Sequence, residues 1–256
     1  FVLDKSNNIP KNTSGKIYRF DLSTPNEFST GKFVQSVVPH AEVHGIALSD
    51  DGTKLFTIRE TNETPLVTTY QLPNPYDISS ITQIHQVDLT DIGVTLPTTD
   101  TNMGRDIEFS KSGHAMFVLI QNTKGNSTDT DDIYQFSLEA KFDVSTATLV
   151  GNYDVNNFQN QADRFGHPIG FTFSNDGMRM FIVDIDTSGG VDQINSYQLE
   201  CPYGLVACVS DPTSSIGSQV ELAKQNITQN ISVIFNEVLR ELFWLSLCFF
   251  SSNLVS

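Results

Sequence analysis

One phrase recurs three times in this chain and restricts its fold more than any other feature. It reads Ile46-Ala47-Leu48-Ser49-Asp50-Asp51-Gly52-Thr53-Lys54-Leu55-Phe56, then Ile107-Glu108-Phe109-Ser110-Lys111-Ser112-Gly113-His114-Ala115-Met116-Phe117, then Phe171-Thr172-Phe173-Ser174-Asn175-Asp176-Gly177-Met178-Arg179-Met180-Phe181. Each copy is an alternating apolar run, a Ser-x-x-Gly turn and a second apolar run. Alternation with period two gives each run one face for a core, and glycine reaches the positive φ that a tight hairpin turn demands. The phrase therefore predicts a series of β-hairpins.

The residues around it extend each hairpin. Lys16-Ile17-Tyr18-Arg19-Phe20-Asp21-Leu22 reads as a third strand, and its Tyr18 finds counterparts in Tyr70, Tyr134 and Tyr197, at intervals of about 50 to 65 residues. A turn follows in Pro25-Asn26-Glu27-Phe28-Ser29, Pro75-Tyr76-Asp77-Ile78-Ser79 and Lys141-Phe142-Asp143-Val144-Ser145. Fourth strands are expected over 32–38, 81–88 and 148–154. Phe1-Val2-Leu3-Asp4 matches Phe117-Val118-Leu119 and Phe181-Ile182-Val183-Asp184, so the chain is expected to open inside a unit, at its second strand.

Four antiparallel strands in a unit of ~60 residues are the pattern of a β-propeller blade, whereas a solenoid coil is usually ~20 to 30 residues. The expected fold is all-β, with about four propeller-type blades, the first and last incomplete, forming an arc of a larger ring. The surplus length falls in loops at 91–103, 122–132 and 156–168. A β-solenoid or sandwich is the competing architecture.

Composition limits the partners. With 18 Phe, 7 Tyr and 39% hydrophobic residues in 256, the chain has the means to bury a core. A net charge of -15, with only 15 Lys and Arg, argues against nucleic acid, whose binders carry basic stripes. The acidity serves either solubility or a cationic partner. No basic and apolar leader segment follows Phe1.

Ser-Asn-Asp-Gly-Met-Arg-Met-Phe-Ile-Val at 174–183, with Tyr-Gln-Phe-Ser-Leu at 134–138 and Phe-Asp-Val-Ser-Thr-Ala-Thr at 142–148, resembles the bacterial propeller repeats related to the WD40 and YVTN types. The stretch from Cys201-Pro202-Tyr203-Gly204-Leu205-Val206 through Cys208, Asp211-Pro212-Thr213-Ser214 and Val220-Glu221-Leu222-Ala223 is similar to the segment that follows such repeats in autotransporter-domain proteins of Gram-negative bacteria. The resemblance implies a propeller passenger displayed at the cell surface, with an outer-membrane β-barrel anchor in the full-length protein. The apolar run Leu242-Phe243-Trp244-Leu245-Ser246-Leu247-Cys248-Phe249-Phe250 departs from that pattern, where a charged linker and alternating barrel strands are expected.

Three regions follow: a partial propeller over 1–200, a Cys-flanked linker over 201–211, and a helix with an apolar tail over 212–256. Asp211 before Pro212 is a helix-start signal. Ile216, Val220, Ala223, Ile227, Ile231, Ile234 and Val238 then form one apolar stripe, a face suited to packing on the fold or on a partner helix. Charged Glu237, Arg240 and Glu241 interrupt it before the ~18 apolar residues of a transmembrane helix accumulate. Cys201 and Cys208 flank a Pro-Tyr-Gly turn that brings a disulfide within reach in a secreted protein; two thiols are the alternative.

The site candidates are few. Asp184, Asp186, Ser188 and Asp192, with Gly189 at the sixth position, match the front of a calcium loop, although Asn195 stands where the bidentate Glu belongs and the same residues suit a plain turn. Asp129, Asp131 and Asp132 occupy the equivalent loop one blade earlier. Apart from that possible calcium, no cofactor is implied. His44, Arg105 and His167 stand before the first strand of each blade, either as one ligand-facing surface or as ordinary polar loop residues. No Gly-x-Ser-x-Gly elbow and no glycine-rich phosphate loop is present.

The expected function is a non-catalytic extracellular binding or adhesion module contacting a protein or glycan at a cell surface. The alternative is a secreted or periplasmic propeller enzyme, of hydrolase or lactonase type, with a metal in the channel.

Overall fold

Strand order is the first result of the computed structural model, which describes residues 1–4, 15–40, 42–59, 64–96, 102–122, 131–155, 168–185 and 192–208. Blade one holds β1 (Val2–Asp4), β2 (Lys16–Leu22) and β3 (Gly31–Val37). Blade two holds β4 (Val43–Leu48), β5 (Lys54–Arg59), β6 (Leu66–Gln71) and β7 (Thr82–Asp88). Blade three holds β8 (Asn102–Phe109), β9 (Ala115–Asn122), β10 (Asp132–Leu138) and β11 (Ala147–Asp154), and blade four holds β12 (Pro168–Phe173), β13 (Arg179–Asp184) and β14 (Gln193–Gln198). Every sheet is an antiparallel meander in sequence order, and β4, β8 and β12 lie side by side as inner strands. The described residues form an all-β, propeller-type arc of four blades, two four-stranded and two three-stranded.

The chain divides into two units, Phe1–Val209 and Ser210–Ser256, and the described residues all lie in the first. The helix expected over 212–256 is outside the described residues, as is most of the three long loops. Among the described residues, no helix is long and apolar enough to cross a membrane.

The repeated phrase folds as its chemistry requires. In blade two, Gly52 donates its N–H to the Ser49 carbonyl (2.9 Å), and the Ser49 hydroxyl donates to Asp51 (2.6 Å) while accepting from the Lys54 amide (2.9 Å). Gly52, Gly113 and Gly177 take φ of 69°, 76° and 70°, a region costly for residues with a Cβ. The turn between third and fourth strands then clasps this hairpin. Tyr76, Phe142 and Tyr203, all at positive φ, donate their amides to the carbonyls of Gly52, Gly113 and Gly177 at 2.7, 2.9 and 2.8 Å.

Blades pack through faces of opposite hand. Along the second strand, alternate residues point to the preceding and the following blade. Leu55, Tyr70, Leu72 and Ile78 of blade two meet Ile17 of blade one; Phe56, Ile58 and Val67 meet Met116, Val118, Phe136, Leu138 and Val144 of blade three; Phe117, Leu119 and Ile133 meet Phe171, Met180, Ile182, Leu199 and Leu205 of blade four. Phe56, Phe117 and Phe136 are fully buried, each contributing about 2 to 3 kcal/mol from apolar burial.

Polar staples tie neighbouring blades. Arg19 donates to the Tyr76 carbonyl (2.9 Å), Gln35 accepts from the Ile78 amide (3.0 Å), and Gln135 donates to the Ala207 carbonyl (2.9 Å) while accepting from the Val206 amide (2.8 Å).

Register corrects the alignment based on tyrosines. A shift between Arg19 and Phe20 in β2 recurs between Thr69 and Tyr70 in β6 and between Gln135 and Phe136 in β10. Tyr70 is therefore the counterpart of Phe20 and Phe136, and Tyr18 is the counterpart of Tyr134 and Thr68. Each shift leaves an extra residue, Val34, Ile84 or Val150, on the fourth strand, and bulges of this kind protect a sheet edge from further pairing.

Candidate ligand-binding face of the inner strands

The inner strands share a second irregularity. β4 shifts register between Val43 and Gly45, β8 between Gly104 and Asp106, and β12 between Pro168 and Gly170. The extra residues are His44, Arg105 and Ile169. A bulge re-aims the side chain it carries, which makes these three the positions where a common backbone offers differing chemistry.

Two of the three expected surface residues are thus strand bulges rather than loop residues, and the structure joins them. Arg105 Nη1 lies 3.2 Å from His44 Nδ1, and Arg105 Nε donates to Gln121 Oε1 at 2.5 Å. Gln121 is buried on β9 and anchors the guanidinium through that bond. His167 is outside the described residues, and register gives its expected place in blade four to Ile169, two positions on.

Asp106 sits where the three strands converge. Its Oδ2 accepts from the Phe171 amide of blade four (2.9 Å) and its Oδ1 from the Ile107 amide (2.9 Å). Its counterparts are Gly45 and Gly170, and both crowd it: a Cβ on Gly45 would stand 2.6 Å from the Asp106 Cα, and one on Gly170 3.2 Å from Oδ2. The approach of backbone to backbone leaves room for one side chain among three.

Glu108 follows on the same face of β8. Burial, then the negative charge of Asp106, pushes its carboxyl up to about 7, against hydrogen bonds from the Thr172 side chain and the Phe109 backbone. Glu108 also lines a cleft of about 410 Å³ with Leu48, Asp50, Phe109, Lys111 and Phe142. A carboxyl that titrates near neutrality in a cleft is equipped to hold or move a proton. Sequence reasoning missed Asp106, Glu108 and Gln121. The signal was present in the aligned phrases, where Gly45 and Gly170 face Asp106, and Ala47 and Thr172 face Glu108.

The expected calcium loop is only partly described. Asp184 ends β13 and is buried, Asp192 is exposed just before β14, and Asp186 and Ser188 are outside the described residues. Asp129 is outside them too; Asp131 and Asp132 are buried, and Asp132 accepts from Asn152 (3.0 Å). No group of three or more His, Cys, Asp or Glu side chains among the described residues is arranged to hold a metal ion. Cys201 and Cys208 form a disulfide with their Cα atoms 5.8 Å apart. The bridge closes the loop that carries Tyr203, the aromatic clasp of blade four.

No protein-family model matches the chain, and no curated protein sequence matches it. Several solved structures are similar to it. A protein from Lactobacillus plantarum shares 15% identity at a TM-score of 0.41, over 74% of this chain and 50% of that one. The periplasmic gluconolactonase PpgL of Pseudomonas aeruginosa shares 15% at 0.37, over 75% and 49%. The Sqt1 protein of Chaetomium thermophilum, bound to the N-terminus of a ribosomal protein, shares 15% at 0.39, over 73% and 41%. This chain spans about half the length of such structures. Its own strand order and register establish the propeller fold.

Proposed function

We propose that the chain is a non-catalytic binding module that recognises a protein or glycan through its inner-strand bulges, as part of a secreted or surface-displayed protein. The observation that supports this reading is the bulge repeated at one register in three adjacent strands, carrying His44, Arg105 and Ile169 on a constant backbone. Recognition works in this way on a rigid scaffold, where side chains at fixed places set specificity. The paired Arg105 and His44 favour a ligand with a carboxylate or other anionic group at that point. The Cys201–Cys208 bridge suits an oxidising compartment, consistent with display at a Gram-negative surface.

A panel of immobilised acidic and neutral glycans, probed with the wild-type chain and with His44→Ala and Arg105→Ala, tests the reading. Retention of an acidic glycan that falls at least about tenfold in both variants, a loss of about 1.4 kcal/mol, supports it. Equal retention by all three proteins sinks the role given to the bulges.

One observation favours an enzyme instead, namely Glu108 beside its cleft. In a lactonase-type reaction its carboxylate would take a proton from water as the water oxygen bonds to the lactone carbonyl carbon. The ring C–O bond then breaks, and the proton passes to the departing alkoxide. The described residues do not fit the channel metal expected with this reading, so no step runs through one. Hydrolysis of glucono-δ-lactone, followed by acid release near pH 7 and abolished in Glu108→Gln, would establish the enzyme; absence of turnover above the buffer rate would leave the binding module standing.

A further inference from the structure

The three bulged positions differ in polarity, and the difference bears on which kind of macromolecule they recognise. Blades two and three supply His44 and Arg105, but blade four supplies Ile169, which is 36% exposed beside the buried Pro168. A single exposed isoleucine is ordinary on a protein surface. This one is placed by the fold at the same register as a guanidinium, one strand away.

The inner strands approach closely enough for neighbouring bulges to meet one ligand. On one side of β8, a Cβ on Gly45 would stand 3.0 Å from the Arg105 carbonyl oxygen; on the other, the Phe171 amide reaches Asp106 at 2.9 Å. Arg105 is thereby set between His44 and Ile169. Its Nη1 lies 3.2 Å from His44 Nδ1, and its Nε donates to Gln121, a side chain only 1% exposed. The charged end of the site is fixed in place, and its apolar end is the isoleucine of the next strand.

A planar guanidinium suits a carboxylate, and an aliphatic side chain gains by removing hydrocarbon from water. The last residue of a polypeptide carries both groups on one carbon atom. Acidic sugars instead surround their carboxylates with hydroxyls, which gain nothing from Ile169. The net charge of -15 also repels a polyanionic glycan more than a protein segment whose one negative group is its terminus.

We propose that the bulges receive the C-terminus of a partner protein, with the terminal carboxylate at Arg105 and His44 and an apolar last side chain against Ile169. This assignment rests on the binding role of the bulges and selects a protein over a glycan. Capture of a C-terminal carboxylate is a recurring mode of peptide recognition.

Fluorescence polarisation with three labelled pentapeptides tests it. One ends in leucine with a free carboxylate, the second is its C-terminal amide, and the third ends in serine with a free carboxylate. The wild-type chain should bind the first at least about tenfold more tightly than either of the others. Ile169→Asn changes a surface position, and unchanged circular dichroism confirms folding. That variant should lose the preference for leucine over serine and keep the preference for acid over amide. Equal binding of the leucine and serine acids by wild type, or a leucine preference that survives in Ile169→Asn, overturns the proposal and leaves the anion preference of the bulges standing. Equal binding of acid and amide overturns both. A sialylated trisaccharide separates the remaining outcomes. If it binds, loses binding in Arg105→Ala, and no peptide binds, the proposal falls and the bulges keep their role with a glycan as ligand. Failure of every probe to bind overturns both.

Discussion

Tyr76 lies so close over Gly52 that a Cβ on the glycine would stand 2.6 Å from its ring, while its amide donates to the Gly52 carbonyl at 2.7 Å. Phe142 over Gly113 repeats the relationship, the distance to an added Cβ there being 2.5 Å. Gly113→Ala therefore carries two costs, a non-glycine residue at φ 76° and a displaced ring. We expect a loss of about 2 to 4 kcal/mol in urea unfolding, with an unchanged m-value. In a Phe142→Ala background, itself less stable because that ring is buried, Gly113→Ala should cost less than it does in the wild type, because the ring supplies the clash. Strict additivity of the two changes would show that the clasp does not exist.

Asp106 supplies a charged acceptor to the Phe171 amide of the next blade. Asp106→Ala leaves that buried amide without its partner, at a cost of about 1 to 3 kcal/mol. Hydrogen exchange offers the local readout: the Phe171 amide should exchange far faster, while the amides of blade two keep their protection. Uniform acceleration across all blades would mean that the change unfolds the arc globally.

Glu108 gives stability a pH dependence of defined sign. Its folded carboxyl titrates near 7 and its ordinary value is 4.5, so between these values the folded chain holds a proton that the unfolded chain releases. The contribution is fully present below the ordinary value and is lost as pH rises through about 7, by up to about 3 kcal/mol. Glu108→Gln should flatten this limb, so that wild type and variant diverge in denaturation midpoint from pH 5 to pH 8. Parallel profiles would refute the buried carboxyl.

The Cys201–Cys208 bridge closes a short loop, with a sequence separation of 7. Loop-closure entropy for that length gives about 2 to 3 kcal/mol. Cys201→Ser with Cys208→Ser should lower stability by that amount and loosen the contacts of Val206 and Ala207 with Gln135. Wild type treated with reductant should match the double variant; a larger loss in the variant would point to packing of the cysteines themselves.

The hairpins were legible because their chemistry is local. Ser49, Asp51 and Gly52 make the turn within six residues, and the apolar alternation on either side names the two faces. The fourth strands were legible to within a residue for the same reason. What failed was alignment by residue type: Tyr70 and Tyr134 look equivalent, but the register shift preceding Tyr70 puts it with Phe136. Counting residues cannot reveal which side of a bulge a side chain occupies. His44 and Arg105 were found as equivalents, whereas their contact depends on β4 and β8 lying together, a relation between blades. Glu108 was missed for a related reason. It looks like one polar residue in an apolar strand, and its character comes from burial and from Asp106, held in place by an amide of blade four.

Each apolar cluster of the arc joins only consecutive blades, so cohesion is shared between nearest neighbours. Under a pulling force such an arrangement behaves as links in series, in which the weakest boundary fails first and the rest hold. Stretching the chain from its two ends would give separate ruptures, one for each boundary. The bridged loop of blade four, which cannot lengthen between Cys201 and Cys208, would return less slack than the open turns of the other blades.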